Sequence, residues 1–211
     1  MLVRFDNIDG VAIHYAREPV APYGTIGKGP RKVQLEHIFL QNLTQALAEL
    51  WGRCPWGKAE ILVSGGCYVE KAGRHGEGRA IDIDALWWGM RTGGGQHLVT
   101  RDAVSYPIRY LAVEAILRKH IGMVLDFWYN HAHEDHFHCD NGTPVGFRPG
   151  SHSQTVFIQA ALKHVYGQQI EIDGVAGSET KNAMIKAGVY PVSTQWMSFL
   201  DQVATDAFLK W

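Results

Sequence analysis

The sequence predicts an α+β fold: a small antiparallel sheet with packed helices, followed by a small C-terminal three-helix domain. Three observations predict it. Short apolar or alternating runs at residues 60–64, 80–86 and 123–128 read as strands, and they interleave with helical periodicity at 33–51 and 106–120. Residues 141–153 hold Gly142, Pro144, Gly146, Pro149 and Gly150, which is linker composition. Beyond that segment the pattern is helical. The predicted division is therefore 1–145 and 154–211.

Residues 1–32 carry Pro19, Pro22, Gly24, Gly27, Gly29 and Pro30, the composition of an irregular lead that wraps the first domain, with His14 at its surface. From Val33 to Trp51, Leu35, Ile38, Phe39, Leu43, Ala46, Leu47 and Leu50 recur at helical spacing, and Gly52 ends the helix. Glu60 to Ser64, closed by Gly65 and Gly66, reads as a buried strand. Residues 80–86 alternate apolar side chains with Asp82 and Asp84, as a strand entering a site would. Trp87 and Trp88 fit core or rim packing; the functional reading of Trp87 is a wall of a substrate groove. Residues 91–104, with Gly93-Gly94-Gly95, read as a mobile loop. Tyr106–His120 is a second helix and Met123–Trp128 a strand. After the linker, Val156, Ile158, Ala161, Leu162 and Val165 define a helix. Asp173-Gly174 makes a turn, Ser178 caps the next helix, and residues 192–211 supply a third.

An apolar share of 46% with 19% charged residues describes a globular chain. A net charge of −1 gives no electrostatic case for nucleic acid or an anionic membrane. No apolar run approaches a spanning helix, and a monomer is expected. The N-terminus lacks the order of a signal peptide, so the delivery route is not encoded there. Cys54, Cys67 and Cys139 are not spaced as a zinc site and read as small buried hydrophobes, although one disulfide among them is open.

The chemistry concentrates in His133-Glu134-Asp135-His136-Phe137-His138. Three histidines and two carboxylates in six residues are costly to bury unpaired, and they suit a metal. If the stretch is extended, His136 and His138 share a face and Glu134 faces away from Asp135. A catalytic zinc needs three protein ligands and an open position, so a further ligand must come from elsewhere. Upstream, His75 closes a Gly-rich loop and Asp82 lies on the following strand. Spacing alone leaves Asp84 competing with Asp82, and Glu134 with Asp135.

His75, Gly78, Ala80 and Asp82 match H-x-x-G-x-A-x-D. Together with the H-x-H of His136 and His138, this resembles the LAS metallopeptidases: the D-Ala-D-Ala peptidases, the penicillin-insensitive murein endopeptidase and the extensin-like C-terminal domains. The resemblance spans residues 33–140. It implies Zn2+ held by His75, Asp82 and His138, with Asp135 as general base. His133, His136 and His138 also satisfy the H-x-x-H-x-H of the murein endopeptidase, which implies catalytic roles for His133 and His136. One position departs: the residue two before His75 is usually Ser and is Gly73 here. The D-G-x-x-G-x-x-T signature from Asp173 to Thr180, after an apolar helix, resembles the peptidoglycan-binding-like domain, a small three-helix bundle, over about residues 154–188.

The implied activity is a zinc peptidase cutting an amide bond in the stem peptide or cross-link of bacterial peptidoglycan, at the cell wall or in the periplasm. Arg74 and Arg79 flank the first ligand and suit a substrate carboxylate. The alternative is a non-catalytic wall-binding module of the extensin-like type.

Overall fold

In a computed structural model, which describes residues 1–15, 29–89, 96–99 and 103–211, the chain begins with strands rather than an irregular lead. β1 (Leu2–Phe5) pairs antiparallel with β4 (Val33–Glu36), forming a two-stranded sheet. β2 (Asn7–Ile8) and β3 (Val11–Tyr15) form a hairpin across Asp9-Gly10. Both turn residues have positive φ, +50° and +79°, the conformation of the type I′ two-residue hairpin loop. His14, expected at the surface, is buried on β3. Pro19, Pro22, Gly24 and Gly27 lie outside the described residues.

The helix expected from Val33 starts later. Pairing with β1 claims Val33–Glu36, and α1 spans His37–Arg53. Glu36 caps it: its Oε2 accepts the Ile38 and Phe39 amides, both at 3.0 Å.

The larger sheet has the order β2-β3-β5-β6-β9-β8, with β7 attached to β6. β5 is Ile61–Gly66, β6 Ala80–Trp88, β7 Gln96–Val99, β8 Met123–Leu125 and β9 Phe137–Asp140. β3 and β5 run parallel and the other pairs antiparallel. The α+β class thus holds, but the ligand-bearing strands belong to this mixed sheet. β7 falls within the expected 91–104 loop, while Gly93-Gly94-Gly95 lie outside the described residues. β8 ends three residues before Trp128, where a turn takes over: Tyr129 N–H bonds Asp126 O at 3.1 Å.

β6 carries a bulge. Val63 pairs with Ala85 and Ser64 with Ile83, which leaves Asp84 as the extra residue. The bulge resets the alternation. Ile81, Ile83, Leu86 and Trp88 all join the main core, whereas Ala85 packs with Val63, Ile61 and Trp87 on the opposite face. Asp82 and Asp84 are consequently not equivalent positions of one regular strand.

α2 (Pro107–His120) is buried continuously from Tyr110 to Arg118. A helix enclosed on all sides needs a layer beyond it, and the C-terminal helices provide that layer. α3 (His152–His164), α4 (Ser178–Ala187) and the kinked α5 (Val192–Phe208) follow the 141–151 connection. Phe157, Phe199, Leu200 and Val203 share one apolar core with Leu111, Ile116, Ile81 and Phe137. Trp211 closes on Trp56 and Trp88 with ring centroids 5.0 and 6.1 Å apart. Ser178 does not cap α4. It is the first helical residue, Gly177 holds the cap position, and no side chain bonds there.

Polar ties cross the same layers. Asp201 of α5 bonds Arg53 of α1 at 2.6 Å and Lys119 of α2 at 3.0 Å, and Lys119 also bonds Glu49. Inside, Arg118 holds Glu114 at 2.7 Å and the carbonyls of Val124 and Ser153 at 3.0 and 2.9 Å. Burial and the neighbouring Asp126 push the Glu114 carboxyl well up. Among the described residues, no helix is long and apolar enough to cross a membrane. Cys54, Cys67 and Cys139 are all buried and free.

Candidate metal centre

The centre lies on the face of β6 and β9 that is turned away from the apolar core. Asp82 of β6 sits directly across from His138 of β9. Because strand side chains alternate, the adjacent Ile81, Ile83, Phe137 and Cys139 enter the core. Asp82 and His138 are thereby left on the other face. His75 arrives from the loop between β5 and β6.

His75, Asp82 and His138 bring one donor atom each to within 4.8 Å of one another. His138 Nδ1 stands 2.9 Å from Asp82 Oδ1, and His75 Nε2 stands 3.3 Å from that oxygen. Donors about 2.1 Å from one tetrahedral ion lie about 3.4 Å apart, so these separations fit a zinc-sized ion. Two imidazoles and a carboxylate are also a donor set that suits zinc.

The outer partners fix both rings. His75 donates Nδ1–H to the Cys67 carbonyl at 2.9 Å, which turns its Nε2 edge toward Asp82. His138 donates Nε2–H to Asp140 Oδ2 at 3.2 Å, which turns Nδ1 the same way. Asp140 is held in turn by the Gly142 amide at 2.6 Å. Gly66 gives Asp82 room: a Cβ there would lie 2.5 Å from Asp82 Oδ2 and 3.3 Å from His75 Cε1.

The electrostatics follow from this crowding. Burial alone would raise the Asp82 pKa, but bonds from His138 and His75 hold it well below the usual carboxylate range. Burial alone would lower the His138 pKa, yet Asp140 and Asp82 push it up to about 9. Burial, helped by His136 and His138, brings His133 down to about 4.

The expected extended run does not form. Asn130 caps a 3-10 turn, His131–His133, the chain turns through Asp135, and the strand begins only at Phe137. His136 and His138 nevertheless reach the same place. His136 is buried, with Nε2 3.7 Å from Asp82 Oδ1 and Nδ1 2.8 Å from Asp135 Oδ1. The His133 ring centroid lies 5.2 Å from His136 and 5.9 Å from His138, and its Nδ1 is 2.7 Å from Asn130 Oδ1. Glu134 is turned to the surface, 2.7 Å from His131 Nδ1. Asp84 lies in the bulge and is not part of the donor group.

Arg74 and Arg79 share Glu77, at 2.8 and 3.5 Å. Arg79 also bonds the Asn141 side chain and carbonyl at 2.8 and 3.1 Å, tying down the exit from β9. Trp87 packs beyond the bulge with Ile61, Val63 and Ala85. Gly73 has φ +95°, a conformation that Ser rarely adopts.

Sequence reasoning did not single out Asp140, Gly66 or Asn130. Asp140 was legible in principle, since it stands two residues after His138 on the same strand face.

The fold and site define an α+β protein with a His-Asp-His candidate metal centre. Comparison with protein-family models, curated proteins and solved structures returns no match.

Proposed function

We propose that the chain is a zinc-dependent peptidase that hydrolyses an amide bond in the stem peptide or cross-link of bacterial peptidoglycan, acting at the cell wall or in the periplasm. The observation that carries this reading is the convergence of His75 Nε2, Asp82 Oδ1 and His138 Nδ1, with both imidazole rings anchored from outside by the Cys67 carbonyl and Asp140. Zinc, when bound there, supplies Lewis acidity and a water of lowered pKa.

The chain's own residues supply the proton chemistry. Asp135 and His136 form a hydrogen-bonded pair beside Asp82. Asp135 is the base that removes a proton from the attacking water and returns it to the leaving amine. His136, oriented by Asp135, donates to the oxygen that gains charge on the scissile carbonyl. His133 faces the same space from the 3-10 turn and assists that donor. Arg74, on the rim beside Asp140 and Gly142, pairs with a substrate carboxylate. The Asp135–His136 pair next to a complete donor set favours an enzyme over a wall-binding module without activity.

The test combines metal analysis with a zymogram on purified cell wall. We expect one zinc per chain and clearing that a chelator abolishes and zinc restores. Clearing that is indifferent to chelation, or a protein that takes up no zinc, would overturn the reading.

A further inference from the structure

The ring contacts of the metal centre do not stop at His133. Tyr129, from the turn after β8, lies with its ring centroid 5.5 Å from His133 and 5.4 Å from His152. His152 is the exposed first residue of α3 and so belongs to the C-terminal segment. Its ring covers Gly174, where a Cβ would fall 2.0 Å from His152 Cε1. Gly174 and Asp173 are fixed by Gln159, through bonds of 2.8 and 2.7 Å. A strip of rings therefore runs His138, His133, Tyr129, His152, and ends on the Asp173-Gly174 turn.

We infer that this strip is a substrate-binding subsite for an extended peptide chain, so that the C-terminal helices form part of the active-site cleft. The inference rests on the peptidase reading above and adds the direction and length of the substrate. An extended peptide advances about 3.3 Å per residue, so each ring-to-ring step spans about two residues. Imidazole and phenol rings offer both a face for stacking on peptide planes and a polar edge for hydrogen bonding. A short peptide reaches only His133; a longer or cross-linked one reaches Tyr129 and then His152.

The experiment uses the full zinc-loaded chain and stem peptides of increasing length, up to a cross-linked dimer. For the wild type, kcat/KM should rise with length. Tyr129→Ala and His152→Ala should flatten that rise, lowering the preference for long over short peptides by about three- to tenfold. Tyr129→Phe keeps the ring and should keep most of the preference. Equal losses on all lengths would mean that Tyr129 merely supports His133, and would overturn the inference. So would a wild type indifferent to length. Because His152 is exposed, its replacement keeps the test open if Tyr129→Ala misfolds. If the wild type cleaves no peptide, the peptidase reading fails separately. Calorimetric affinities for the same series then decide the subsite: length-dependent binding lost in both Ala variants supports it, and its absence overturns it.

Discussion

Asp140 and His138 lie two residues apart on one strand face, and the Asp140 carboxylate accepts a hydrogen bond from His138 Nε2–H at 3.2 Å. That bond holds the ring with its Nδ1 edge toward Asp82. Asp140→Asn offers a weaker acceptor and an alternative hydrogen-bond pattern. Zinc affinity should fall by about 10–100-fold, the usual effect of removing such a partner. Competition titration against a chromogenic chelator measures it. Gly66→Ala should weaken the metal by a different route, because its Cβ displaces Asp82 itself.

Asp135→Asn keeps the size of the side chain and removes its capacity to accept a proton. Turnover should fall by about 10²–10⁴-fold at matched zinc occupancy. His136→Ala should retain zinc and lose turnover, whereas His138→Ala should lose the metal. Single-turnover assays with parallel metal analysis separate these outcomes. Normal turnover in Asp135→Asn alongside an inactive His133→Ala would move the base to His133.

The buried Arg118 cluster gives an asymmetric prediction. Arg118→Met leaves Glu114 and Asp126 buried without their cation and should destabilise by about 3–5 kcal/mol. Glu114 is already pushed toward its neutral form by burial and by Asp126. Glu114→Gln mimics that form, keeps the acceptor for Arg118, and should cost less than about 1.5 kcal/mol. Urea denaturation monitored by tryptophan fluorescence distinguishes the two.

Acid should loosen the packing of α5. Burial opposes ionisation of Glu49, but bonds from Lys119 and His120 outweigh it and lower its pKa. Bonds from Lys119 and Arg53 lower Asp201 as well. Depressed carboxylates contribute stability that is complete above their unfolded values, about 4. That contribution is lost as pH falls through the folded values. The melting temperature should therefore drop below about pH 4, and Glu49→Gln should flatten that drop. An unchanged acid limb in the variant would assign it to other carboxylates.

The donor set was readable because its residues are chemically distinctive and closely spaced. Their local conformation was not. A six-residue run of His, Asp and Glu carries no periodicity, so nothing in it distinguished an extended strand from a 3-10 turn leading into Phe137. The Asp84 bulge was equally hidden, since Asp82 and Asp84 fit regular alternation and only the pairing with Val63 and Ser64 breaks it. Asp9-Gly10 is a recognisable hairpin signal, masked by the brevity of β2 and by the proline-rich residues after it. The role of α2 was partly legible: Leu111, Ala112, Val113, Ala115, Ile116 and Leu117 leave no wide polar face. Glu114 and Arg118 obscured this, because an ion pair inside a helix ordinarily marks its solvent side.

Cys67 joins two properties at one residue. Its carbonyl anchors His75, and its thiol is buried, with burial pushing its pKa up to about 12. A thiol in that state is a poor nucleophile. Alkylation of Cys67 therefore requires the segment that anchors His75 to move away first. The molecule carries a chemical reporter: the rate of Cys67 labelling should track how often the His75 loop opens, and an ion held by His75 should slow it.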